Sequence, residues 1–106
     1  MKKVAIALTL LVSLVGTANA QGNVESGKTK AAMCSACHGV DGNAPVAMYP
    51  KLAGQHADYL VKQLKEFKSG ARKDPIMMGM SAGLTEQDMA DIAAYRSEER
   101  RVGKEC

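Results

Sequence analysis

The chain has 106 residues and a formal charge of +3, from 14 lysines and arginines against 11 aspartates and glutamates. Residues 21–95 carry eight basic and eight acidic side chains and are therefore neutral, which excludes the strongly basic surface of a nucleic-acid-binding protein. One phenylalanine, three tyrosines and no tryptophan give a thin aromatic core. A chain this short commonly needs a metal, disulfides or a bound cofactor.

The first twenty residues have the pattern of a secretory signal. Lys2 and Lys3 form a basic start, residues 4–15 are apolar, and residues 18–20 are Ala-Asn-Ala, a small-residue cleavage site. The apolar run is shorter than the about 20 residues that a membrane span needs, which disfavours an anchor. We expect residues 1–20 to be a cleaved signal peptide.

Three segments have the composition and spacing of helices, and none has the alternation typical of a strand. Residues 24–37 are rich in helix formers and follow Asn23, a candidate N-cap. Residues 56–69 have an apolar stripe at helical spacing, and Gly70 is a typical stop. The segment 84–95 opens with a capping box formed by Thr85 and Asp88. The sequence therefore predicts an all-α fold.

Two long segments between these helices are rich in glycine and proline. We expect residues 38–55 and 71–83 to be irregular, the second because Pro75, Gly79 and Gly83 interrupt it. Loops of this length are uncommon in a compact domain unless they have a function or pack on something. A flat, apolar cofactor between the two loops would account for both.

The composition of the chain becomes almost entirely polar from Arg96 onward. The apolar face of the last helix needs a large apolar residue there, whereas residues 96–106 form a polar run that we expect to be solvated. One nucleotide sequence that encodes this run resembles a sequencing adapter read in frame. We therefore expect residues 96–106 to be non-native, the natural chain to continue past Tyr95, and Cys106 to have no function.

Cys34, Cys37 and His38 form the motif that carries the chemistry. A zinc site needs a second pair of ligands, and His56 is the only other histidine. A redox dithiol usually lies beside a βαβ unit, for which the sequence predicts no strands. The spacing C-x-x-C-H is typical of c-type haem attachment, in which each thiol bonds a vinyl group and the histidine binds the iron.

An iron bound by one histidine has a sixth position to fill. A methionine sulfur there would raise the reduction potential. The candidates are Met77, Met78 and Met80, in a segment expected to be non-helical and free to approach the haem, with Met33 and Met48 less favoured. The other ring nitrogen of an iron-bound histidine normally donates to an acceptor. For His38 we predict that this acceptor is the Pro50 carbonyl.

These motifs together resemble the class I cytochromes c, most closely the first haem domain of the cytochrome c4 group. The similar stretches are residues 34–43, 49–70, 77–84 and 88–95. The resemblance implies three main helices and long loops wrapped around one covalently bound haem c. It also implies a periplasmic electron carrier in the respiratory chain, not an enzyme.

The resemblance assigns a role to each candidate residue. Cys34 and Cys37 would form the thioethers, and His38 would be the proximal ligand. The distal methionine of the family lies two positions before a glycine, which favours Met77 over Met80. The family's proline carbonyl near the proximal histidine corresponds to Pro50.

The resemblance also implies partners and a second domain. Members of this group usually have two haem domains, so we expect the natural protein to be dihaem. The implied electron donor is a cytochrome bc complex and the implied acceptor a terminal oxidase, with peripheral membrane association. The alternatives are a haem enzyme or gas-binding sensor with a labile distal methionine, and a copper(I) carrier that uses the methionines and thiols.

Overall fold

The computed structural model describes residues 22–100 as five helices joined by loops. A 3₁₀ turn at Ala31–Cys34 joins the first two helices, and no strand occurs within these residues, which confirms the all-α prediction. No helix in the described range is both long and apolar enough to cross a membrane. The predicted signal peptide and Cys106 lie outside the described residues. The helices are α1 (Val24–Lys30), α2 (Ser35–His38), α3 (Ala57–Ser69), α4 (Pro75–Ser81) and α5 (Glu86–Glu98).

α1 packs directly on α5 because a glycine removes the side chain that would separate them. A Cβ atom on Gly27 would lie 1.9 Å from the carbonyl oxygen of Asp91, so only glycine permits this approach. Charges join the same two helices, since Lys30 Nζ lies 2.6 Å from Asp91 Oδ2 and 2.9 Å from Asp88 Oδ1. The crossing thus combines backbone contact with ion pairs.

The Asp91 carboxylate at this crossing is buried, with 3% of its surface exposed, and fully partnered. The backbone N–H of Asn23 and the amide of Gln87 both donate to Asp91 Oδ1 at 2.8 Å. The Asn23 N–H, followed by Lys30 and Gln87, holds the pKa of Asp91 below its usual value. A buried carboxylate is stable when its hydrogen bonds and charge are satisfied in this way.

The apolar core lies between α5, α3 and the turn that follows α1. As predicted, α3 buries Leu60 and Phe67 and ends at Gly70, whose φ of +83° suits glycine. The predicted capping box of α5 is also present, with Thr85 and Asp88 exchanging hydrogen bonds. The main cluster consists of Ala31, Leu84, Met89 and Ile92, with Leu64 and Tyr95 packed against it.

The prediction of irregular backbone over residues 71–83 is wrong for residues 75–81, which form α4. Asp74 caps this helix by accepting the Met77 N–H at 2.9 Å. Pro75 occupies the first helical turn, where a missing N–H costs nothing because that group has no partner within the helix. Pro75 therefore starts a helix here rather than preventing one.

The single helix predicted for residues 24–37 is also wrong in its continuity. The 3₁₀ turn at Ala31–Cys34 interrupts it between α1 and α2, so Ala31 and His38 do not share one continuous helix. A 3₁₀ turn is wound more tightly than an α-helix, with three residues per turn.

Arg96 is fully buried, which contradicts the expectation that the chain becomes solvated at this residue. α5 continues to Glu98, and the Arg96 guanidinium donates to the Glu99 carboxylate at 2.9 Å and to the Gly39 carbonyl at 3.3 Å. These bonds satisfy much of the buried charge, although Arg96 Nε has no partner among the described residues. The non-native origin of the tail stays a prediction.

Candidate haem-attachment site

The cysteine–histidine motif lies at the end of a short helix. Cys34 closes the 3₁₀ turn, and Cys37 and His38 belong to α2. Gly39 ends this helix with a φ of +87°, and its N–H donates to the Ser35 carbonyl at 2.9 Å. A side chain at Gly39 would be strained in this conformation. The chain can therefore turn sharply just after His38.

His38 is buried, with 6% of its surface exposed, and its ring is oriented by one hydrogen bond. Nδ1 lies 2.8 Å from the carbonyl oxygen of Pro50, the contact that the sequence predicts. Because a carbonyl can only accept, Nδ1 carries the hydrogen, and the lone pair of Nε2 is left for a metal. The Tyr49 ring lies edge-on to the His38 ring at 6.4 Å between centroids.

The loop that supplies the Pro50 carbonyl is closed by backbone hydrogen bonds. The N–H groups of Leu52 and Ala53 both donate to the Gly42 carbonyl, at 2.9 and 3.1 Å. Gly42 has a φ of +77°, which glycine adopts without strain. The closure fixes residues 42–53 as one unit, so Pro50 is held opposite the His38 ring by the chain itself.

The two thiols are partly buried and are not bridged to each other. Burial raises the pKa of the Cys34 thiol, and the nearby Cys37 adds to this, while the Arg96 charge opposes it. Within residues 22–100, no group of three histidine, cysteine or acidic side chains is placed to hold a metal ion. His38 directly follows Cys37 in the chain, the order that haem attachment needs.

The α4 methionines are carried by a different part of the fold. Met77 and Met80 are both partly buried and lie three residues apart, on one face of α4. Met78 is more exposed, and Met33 and Met48 are exposed outside this helix. α4 packs against α3, whereas the cysteines and His38 adjoin the 3₁₀ turn. The proximal and distal candidates therefore lie on different helices, α2 and α4.

The residues present fit a haem c group. The donor set combines two thiols, an imidazole with Nε2 available, and soft methionine sulfurs. The two segments that we expected to flank a cofactor also expose large apolar side chains, which a flat apolar group would cover. These are Val40, Val46 and Met48 in the loop after α2, and Ile76 and Met78 in α4.

Two polar residues near the candidate ligand were missed by the sequence analysis. Asp74 caps α4, and Ser81 is fully buried with its hydroxyl 2.6 Å from the Met77 carbonyl. The dipeptide Asp74-Pro75 is itself a helix-start signal, since an N-cap residue precedes proline at the first helical position. No sequence signal distinguishes Ser81 from an exposed serine.

Comparisons with known proteins identify the family. The cytochrome c family model matches residues 24–96. The chain is 47% identical to cytochrome c4 of Pseudomonas aeruginosa over 104 residues, covering 97% of this chain and 52% of that protein. It is 43% identical to cytochrome c-554(548) of Halomonas halodenitrificans over 79 residues, covering 72% of this chain and 95% of that protein.

A solved structure gives the same result for the fold. The crystal structure of reduced recombinant cytochrome c4 from Pseudomonas stutzeri is similar with a TM-score of 0.71 and 48% sequence identity, covering 74% of this chain and 46% of that chain. The chain thus spans about half the length of the cytochrome c4 proteins that it matches. These similarities confirm the predicted class I fold and the resemblance to the cytochrome c4 group. The chain belongs to the cytochrome c family, which implies covalently attached haem c, and Cys34 and Cys37 fit the family's C-x-x-C-H motif.

Proposed function

We propose that this chain is a one-electron carrier of the bacterial periplasm, with a haem c held between His38 and Met77. The observation that carries the proposal is the hydrogen bond from His38 Nδ1 to the Pro50 carbonyl. It sets the tautomer and the ring orientation that an iron ligand needs, directly beside the two cysteines. Family membership supports the same assignment.

Each residue of the motif has one task in this proposal. Cys34 and Cys37 would hold the haem through thioether bonds, and His38 would bind the iron through Nε2. The bound haem supplies the reversible ferric–ferrous couple. The closed loop around Pro50 keeps the imidazole fixed, so little reorganisation accompanies the change of charge.

Met77 is the proposed distal ligand, with Met80 as the alternative on the same face of α4. A thioether sulfur is a soft ligand that favours ferrous iron, so this ligation raises the reduction potential. With His38 and Met77 both bound to the iron, no position would remain open for a substrate. The protein is therefore proposed as a carrier and not as an enzyme.

The proposed partners are other redox proteins. A cytochrome bc complex would donate the electron and a terminal oxidase would accept it, through small and short-lived contacts. Peripheral membrane association would bring the carrier close to both. Because the chain spans about half of its cytochrome c4 relatives, we also propose that the natural protein continues into a second haem domain.

Carbon monoxide binding to the reduced, matured protein tests the proposed ligation. We expect the parent protein and the variant Met80→Ala to bind it slowly or weakly, because Met77 occupies the iron. The variant Met77→Ala should bind it rapidly and stoichiometrically. Rapid binding by the parent at neutral pH would instead support the gas-binding sensor. Rapid binding by Met80→Ala alone would show that Met80, and not Met77, is the iron ligand.

A further inference from the structure

The most buried residue of α4 is a serine and not one of the apolar residues beside it. Ser81 has no exposed surface, whereas Ile76 is 60% exposed. Its hydroxyl donates to the carbonyl oxygen of Met77 at 2.6 Å and also lies 3.5 Å from that of Met78. A buried hydroxyl without a partner would be costly, so breaking this bond is unfavourable.

The backbone of Met77 is held at both of its polar groups. Its N–H donates to the Asp74 carboxylate at 2.9 Å, and its carbonyl accepts from Ser81. Among the described residues, no side chain makes a hydrogen bond to the backbone of Met80. Of the two candidate methionines, Met77 is thus the one whose backbone is bonded by side chains at both polar groups.

We propose that Ser81 is a positioning residue for the distal iron ligand, acting through the carbonyl of Met77. A methionine side chain has three rotatable bonds, so the place of its sulfur depends on how well its backbone is fixed. A serine hydroxyl bonded to the carbonyl four residues earlier changes the local bend of a helix. Ser81 thus sets the turn of α4 from which the Met77 sulfur reaches the iron. The inference rests on the proposed assignment of Met77.

The test is cyanide binding to the ferric, matured protein, since cyanide competes with the distal sulfur for the iron. The variant Ser81→Ala keeps the Cβ atom but removes the hydroxyl, so the sulfur should dissociate more readily. We expect its apparent affinity for cyanide to rise by roughly three- to tenfold, the effect of one lost hydrogen bond. The weak red absorption band of ferric iron bound to thioether sulfur should weaken, and the reduction potential should fall.

Two matched variants separate positioning from general loosening of the fold. Ser97→Ala removes a comparable hydroxyl, which bonds to the Ala94 carbonyl at 2.8 Å in α5, and should leave cyanide affinity unchanged. Ser81→Thr retains a hydroxyl that can bond to the same carbonyl, so its cyanide affinity should stay within roughly twofold of that of the parent. The unfolding midpoint of each variant is measured alongside.

The proposal is overturned if Ser81→Ala raises cyanide affinity no more than Ser97→Ala does. It is also overturned if Ser81→Thr and Ser81→Ala raise the affinity equally, because the effect would then come from packing and not from the hydroxyl. Met77→Ala distinguishes this failure from a failure of the proposed function. If Met77→Ala leaves the red band intact, the ligand assignment itself is wrong.

Discussion

The α1–α5 crossing and the segments around the candidate haem site are stabilised in different ways. At the crossing, Gly27 lets α1 lie directly against the backbone of α5, and the buried carboxylate of Asp91 is satisfied by Asn23, Lys30 and Gln87. Around the site, Val40 and Met48 remain 82% and 75% exposed. The crossing is satisfied by atoms of the chain, whereas the site exposes apolar surface that a bound haem would cover. We therefore expect the crossing to report on the stability of the polypeptide and the site to report on the haem.

The largest expected effect is the loss of the cofactor from the site. Replacing both cysteines, Cys34→Ala with Cys37→Ala, should abolish all covalently bound haem, because no thiol remains to add to a vinyl group. Haem staining after denaturing electrophoresis measures this. Ala36→Ser, at an exposed position between the two cysteines, should keep full staining. Retained staining in the double variant would contradict the proposed attachment.

The second effect falls on the crossing. Gly27→Ala would place a Cβ atom 1.9 Å from a backbone oxygen and force α1 away from α5, which we expect to cost about 2–4 kcal/mol in the free energy of unfolding. Gly83→Ala is the matched control, since its Cβ would meet nothing within 4 Å. Denaturant unfolding of the two variants gives the comparison. Equal stabilities would show that the helices are not in tight contact at Gly27.

The third effect concerns the buried charge at the crossing. Asp91→Asn should lower the free energy of unfolding at neutral pH by about 1–2 kcal/mol, because Lys30 loses the charged partner that lies 2.6 Å away. Glu25→Gln removes an exposed carboxylate from the first turn of α1 and should have a much smaller effect. If the two variants were equally stable, the pair with Lys30 would contribute nothing to folding.

The same carboxylate should make the stability of the crossing depend on pH. The folded pKa of Asp91 is lowered, so its stabilisation is fully present above its unfolded pKa of about 3.9 and is lost as the pH falls through the folded value. The pKa of Asp88, lowered to about 2 chiefly by the Thr85 N–H, acts in the same direction. Between neutral and acidic pH, the free energy of unfolding should therefore fall less for Asp91→Asn than for Glu25→Gln.

The smallest effect distinguishes the two regions by their helix caps. Thr85→Ala and Asp74→Ala should each destabilise the helix that the residue caps by about 1 kcal/mol. The two helices differ in what they pack against. α5 belongs to the core, so Thr85→Ala should lower global stability. Asp74→Ala should instead speed amide exchange within α4, with less change in global stability. Equal global losses would place α4 in the same cooperative unit as the crossing.

The sequence predicts the parts of this fold that depend on local chemistry. The apolar stripe of α3, its stop at Gly70 and the capping box at Thr85 need only neighbouring residues, and all three are present. The prediction failed at Pro75, because proline breaks a helix in its interior but favours the first turn, which is where Pro75 lies.

Features that depend on contacts distant in sequence could not be predicted in the same way. Arg96 is buried because Gly39, 57 residues earlier, offers a carbonyl acceptor, and polarity alone indicates a solvated residue. The contact between His38 and the Pro50 carbonyl was predictable, since a histidine that binds a metal normally has an acceptor for its other ring nitrogen and this loop is close in sequence. The buried position of Ser81 arises from the packing of α4 and has no local signature.

The mass of the matured protein, measured after full denaturation, tests the central claim most directly. The account predicts the mass of the polypeptide plus one haem, because two thioether bonds survive unfolding when axial ligands do not. A mass equal to that of the bare polypeptide, from protein made in cells that mature c-type haem, would contradict it.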